Sequence, residues 1–164
     1  MDKNNYKKLR NKYLPEDLRV IFVLESPPAS GRYFYNPNGT INEALFSAMM
    51  KILNFKPNNK LEGLKKFMNQ GYFLVDATYR PVNRMTNRDR NRKILNGLPK
   101  LREDLKGIIK DRKVKIILVK ANVCRLLEKP LDAEFNNVVN KGVIIPFPGS
   151  GHQKDFHDNI KKLL

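Results

Sequence analysis

The chain has 164 residues, and its 32 Lys and Arg against 16 Asp and Glu leave a formal charge of +16, which favours a polyanionic partner, nucleic acid above all. A hydrophobic content of 41% excludes a disordered basic tail and suits one folded domain with a sizeable core. No run approaches the roughly 20 apolar residues that span a bilayer, and Met1 to Asn5 lacks the apolar core of a signal peptide, so no membrane partner and an intracellular, cytoplasmic and nucleoid-associated place are expected.

Residues 1 to about 15 are the least constrained. Lys3, Lys7, Lys8, Arg10 and Lys12 against Asp2 read as a flexible basic arm. Four apolar runs, Arg19 to Leu24, Tyr72 to Val75, Val114 to Val119 and Val143 to Ile145, read as buried strands. After the first, Thr40-Ile41-Asn42-Glu43 forms a capping box for a helix with Leu45, Met49 and Ile52 on its apolar face. Asn59 to Glu62 repeats the signal for a second helix that Gly71 ends. Leu101, Leu105, Ile108 and Ile109 mark a third helix, with Pro99 in its first turn. A short helix follows Lys120 and carries the only cysteine, Cys124, as a packing residue. Phe156, Ile160, Leu163 and Leu164 define the last helix. Strands alternating with helices predict a single-domain, three-layer α/β/α sandwich around a four-stranded parallel sheet. A monomer is expected.

The first strand runs into Leu24-Glu25-Ser26-Pro27-Pro28 and then Gly31-Arg32-Tyr33-Phe34; the second leads into Tyr79-Arg80-Pro81-Val82-Asn83-Arg84. The third passes into Lys120-Ala121-Asn122, and Pro146-Phe147-Pro148-Gly149-Ser150-Gly151-His152 precedes the last helix. These four segments, in this order, resemble the uracil-DNA glycosylase superfamily, in the motif frame of its iron-sulfur branch (family four), over residues 18 to about 160. The chain departs from that pattern in two lost glycines, in a histidine displaced along the last motif, and in Tyr79 where the family has a cysteine. With one cysteine in all, an iron-sulfur cluster is excluded.

The resemblance implies hydrolysis of a deaminated or damaged base from single- or double-stranded DNA, in base excision repair, with no metal or diffusible cofactor. A glycosylase flips its base into a pocket that stacks it, reads its pairing edge and helps the glycosidic bond break. Phe34 matches the stacking ring, with Tyr33 beside it. Glu25 is placed to activate the attacking water, and His152 to stabilise charge on the departing base. Asp76 ends the second strand near the position that reads the base. His157 is expected to be a surface or packing residue. Arg80, Asn83, Arg84, Arg88, Arg90 and Arg92, with Lys120 and Ser150, are candidates for DNA contact. Two alternatives remain open at this point: a metal-dependent nuclease holding Mg2+ on Glu25 and Asp76, and a catalytically silent nucleic-acid-binding protein.

Overall fold

A computed structural model describes all 164 residues. The elements run α1 (Lys3–Asn11), β1 (Val20–Leu24), α2 (Ala44–Ile52), α3 (Lys60–Asn69), β2 (Tyr72–Asp76), α4 (Asn87–Ile109), β3 (Lys115–Leu118), α5 (Ala121–Phe135) and α6 (Gln153–Leu163). The architecture is mixed α/β on a parallel sheet of order β2-β1-β3. All five residues of β1 and of β2 are buried, as apolar strands covered on both faces must be.

The sheet has three strands, not the four expected. Val143 and Ile144 are exposed, and the chain runs beside β3 earlier, through a single parallel bridge between Ile116 and Val138. Asn140 then takes over the ladder with its side chain. Its amide accepts from Leu118 N–H at 2.8 Å and donates to Leu118 C=O at 3.0 Å. Lys141 and Gly142, both at positive φ, turn the chain away. At the opposite edge the Tyr35 hydroxyl accepts from Leu74 N–H at 2.7 Å, so a side chain satisfies a backbone donor of β2.

Helix boundaries also shift. Residues 41–43 precede α2, although Thr40 N–H still bonds Glu43 Oε1. Pro99 lies inside the 23-residue α4, which starts at the Thr86 cap. It is on the exposed side with Leu95, whose carbonyl it leaves without an intrahelical donor. The helix after Lys120 runs to Phe135, through Pro130. Cys124 is buried, its thiol donating to Leu118 C=O, and His157 is partly exposed on α6.

The first residues form a packed helix instead of an arm. Tyr6 of α1 belongs to the same 42-residue apolar core that reaches Ile160. Arg10 is 1% exposed. It forks onto Asp104 of α4 at 2.8 and 3.1 Å and donates to the Tyr79 hydroxyl at 2.6 Å. Tyr79 therefore joins α1 to the loop after β2.

Candidate active site

Parallel sheets place their chemistry beyond the carboxyl ends of the strands, where connections part to opposite sides. Here β1 is central, and its register sets Leu24 opposite Asp76. Past that point Ala77 N–H bonds Leu24 C=O and Thr78 N–H bonds Glu25 C=O. The two strands thus deliver Glu25 and Asp76 side by side. Both line a cavity of about 520 Å³, with Tyr33, Phe34, Asn83, Lys120 and Phe147. That volume is within the range of small-ligand pockets.

The two carboxyl groups have opposite surroundings. Glu25 Oε1 meets Lys120 Nζ at 2.5 Å, its Oε2 accepts from the Asn122 amide, and Arg90 Nε lies 3.6 Å from that same Oε2. Asp76 is 4% exposed, and its Oδ2 has no hydrogen-bond partner. Burial pushes its pKa up to about 7; Arg10 opposes the rise and Glu25 adds to it.

The aromatic floor is closely packed, with Phe34 4% and Tyr33 2% exposed. Phe34 meets Tyr35, Phe67 and Phe46 at centroid separations of 5.0, 5.1 and 5.9 Å. Tyr33 is edge-on to Tyr6 at 4.8 Å. Its hydroxyl is buried without a partner, and burial, with Asp76 second, raises its pKa far above the ordinary tyrosine range. Beneath this loop Lys60, whose side chain is fully buried, donates to Tyr33 C=O at 2.7 Å and to Glu43 Oε2 at 2.5 Å. The loop is thus pinned to the start of α3.

Lys120 sits at φ 87° and ψ 136°, a conformation that glycine visits freely and other residues enter at a cost of about 1–3 kcal/mol. Its N–H donates to Ile145 C=O at 2.8 Å. That bond and the Glu25 pair hold its ammonium at the cavity.

Not every residue expected from the sequence converges here. His152 is exposed, precedes α6 and does not line the cavity. Its loop supplies Phe147 instead, an aromatic between two prolines that is 39% exposed. Ser150 is exposed at positive φ. Arg80, Arg84, Arg88 and Arg92 are exposed, whereas Arg90 turns inward to Glu25 and to Asn83 C=O at 3.1 Å. The Asn83 side chain accepts from Ala29 N–H and so ties the two loops at the cavity mouth. Lys120 faces Glu25 instead of open solvent, and Asn122, the partner that sequence reading missed, lies one helical position beyond Ala121.

A Glu25/Asp76 metal pair does not fit this donor set. The Lys120 ammonium stands 2.5 Å from one Glu25 oxygen and Asn122 donates to the other, so a metal cation on Glu25 would be repelled by a fixed positive charge.

No family model, curated protein or solved structure matches this chain, and no helix is long and apolar enough to cross a membrane.

Proposed function

We propose that the protein hydrolyses the N-glycosidic bond of a base flipped out of DNA. The observation that carries this reading is a pair of buried polar atoms without partners, Tyr33 Oη and Asp76 Oδ2, on residues lining one cavity beside Phe34. Buried polar groups are seldom left unpaired, and a planar ligand with donors and acceptors on its edge satisfies both. Two carboxyl groups with divergent environments are the usual arrangement for divided roles in acid and base chemistry. The motif resemblance and the charge of +16 support the same reading. We also take the helices that meet one another as α2/α3/α6 and α4/α5 for the outer layers of a three-layer α/β/α sandwich.

In this mechanism the base lies against Phe34 with its pairing edge at Asp76 and Tyr33. Glu25, held in place by Lys120, Asn122 and Arg90, orients a water towards the anomeric carbon and takes its proton as the carbon–oxygen bond forms. The glycosidic bond breaks towards the base, which leaves with the bonding electrons. Protonated Asp76 donates a hydrogen bond to an exocyclic oxygen of the base as negative charge gathers there. His152 has no part in these steps.

The test is incubation with oligonucleotides carrying uracil, hypoxanthine, xanthine or mismatches, followed by alkaline cleavage at abasic sites. Strand scission at one lesion, unaffected by EDTA, supports the reading. Tight binding with no abasic sites on any substrate overturns it in favour of a silent nucleic-acid-binding protein.

Glu25→Gln keeps the shape and removes the charge, so excision is expected to fall by about 10²–10⁴, the usual worth of a positioned base, while oligonucleotide binding persists. An unchanged rate would remove Glu25 from the chemistry. The exposed arginines give a separate expectation. Arg88→Ala and Arg92→Ala should each reduce the slope of log affinity against log salt by about one, alike on all sequences. Arg90→Ala is expected to act on excision through Glu25, with a smaller change of slope.

A further inference from the structure

A second cavity, of about 500 Å³, lies on the other side of Asp76 and is built from the start of α1, the loop after β2 and the middle of α4. Five cationic side chains line it: Lys3, Lys7, Arg80, Lys93 and Lys100. Of the three acids there, two are engaged, and the third, Asp76, is only 4% exposed. Asp104 carries both the Arg10 fork and Lys7 at 3.4 Å, and the Asp2 carboxylate accepts from Asn5 N–H at the start of α1. Lys3, Arg80, Lys93 and Lys100 make no salt bridge anywhere in the chain. Slight desolvation, with repulsion from Lys7 and Lys100, holds the exposed Lys3 below the ordinary lysine range.

Uncompensated charge of one sign, gathered from two helices and a loop onto one concavity, costs folding energy unless a counter-charge occupies it. A phosphodiester brings a single negative charge. The surplus here is larger and matches a group with two or more charges on one or two adjacent phosphorus atoms. We propose that this cavity is a binding site for a multiply charged phosphate, the terminal phosphate of a nucleic-acid strand or a free pyrophosphate-bearing nucleotide. Arg80 and Lys100 grip it from the two walls and Lys3 closes the rim. The site does not depend on the excision reading, because its evidence lies outside the first cavity; the two share only Asp76.

The experiment is calorimetric titration of the intact chain with inorganic pyrophosphate, against sulfate at equal ionic strength, then with oligonucleotides of one sequence carrying a 5′-phosphate or a 5′-hydroxyl. Pyrophosphate is expected to bind at least roughly tenfold more tightly than sulfate, since one further charge acts near several cations. The double variant Lys3→Ala/Lys100→Ala, both at exposed positions, should lose that advantage and keep the parent's circular dichroism. Preference for the 5′-phosphate strand, lost in the variant, identifies a strand end as the ligand. Equal binding of the two strands with pyrophosphate selectivity intact identifies a free nucleotide. Pyrophosphate no tighter than sulfate, or a selectivity the variant retains, overturns the proposal. These are binding readouts, so a protein with no excision activity would leave them unchanged.

Discussion

Replacing Lys60 with methionine should destabilise the fold by about 3–5 kcal/mol, the cost of stripping one partner from a buried ion pair. Its ammonium is the cation beside Glu43, whose side chain is only 11% exposed, and the donor to Tyr33 C=O. Both are left short when it goes. Adding Glu43→Gln removes the orphaned charge, so Lys60→Met/Glu43→Gln is expected to recover a large part of the loss, as apolar replacements of whole buried pairs do. Urea denaturation of the two variants measures this, and equal losses would show that the pair contributes nothing as a pair. Lys60 does not line the first cavity, yet it pins the strand of chain bearing Tyr33 and Phe34. Excision should therefore fall in Lys60→Met through a higher KM.

Asp76→Asn should stabilise the protein most in alkaline solution. The folded-state pKa is raised from 3.8 to about 7, so the folded chain holds a proton that the unfolded chain releases. The contribution of Asp76 to stability is whole below the unfolded value. It falls as pH rises towards and through about 7, and the penalty is complete above that. At about 1.4 kcal/mol for each pKa unit, the ionised group costs roughly 4 kcal/mol. Asparagine avoids that cost, so the variant's advantage should be small near pH 4 and approach a few kcal/mol near pH 9. An advantage of constant size across that range would show that Asp76 does not ionise inside the fold. Activity gives a second readout. A protonated Asp76 has an O–H to offer an exocyclic oxygen, and an ionised one has acceptors only. Uracil excision by the parent is expected to decline above pH 7, and the Asp76→Asn substitution should abolish the decline. Identical pH profiles would remove Asp76 from base recognition.

The strands before the site were legible because each is a short, unbroken apolar run, and because Glu25 and Asp76 end such runs they were legible as well. The absence of a fourth strand was not. Val143 to Ile145 has the composition of a strand, but the ladder that would have received it is closed by a single amide, Asn140, whose role depends on three-dimensional approach to Leu118. Arg10 shows the same blindness from the other side. In sequence it is one cation among many, and its fork to a residue 94 positions away buries it, while Tyr6 docks the same helix on the apolar core. His152 was favoured by its chemistry and its place in a motif; loop geometry decides otherwise and brings Phe147 to the cavity. The long α4 escaped because Pro99 reads as a first-turn residue, whereas the packing of Ile94, Leu101 and Leu105 carries the helix through it.

A lysine at position 120 stands where the backbone asks for glycine. Once the Glu25 pair is given up, the two simplest replacements differ only in that backbone: Lys120→Gly should be more stable than Lys120→Ala by roughly 1 kcal/mol. Mutational drift with no demand on the cation would therefore run towards glycine. A lineage that keeps lysine there does so against a standing gradient, and the persistence of that single side chain would report continued use of the site more sensitively than the persistence of the fold.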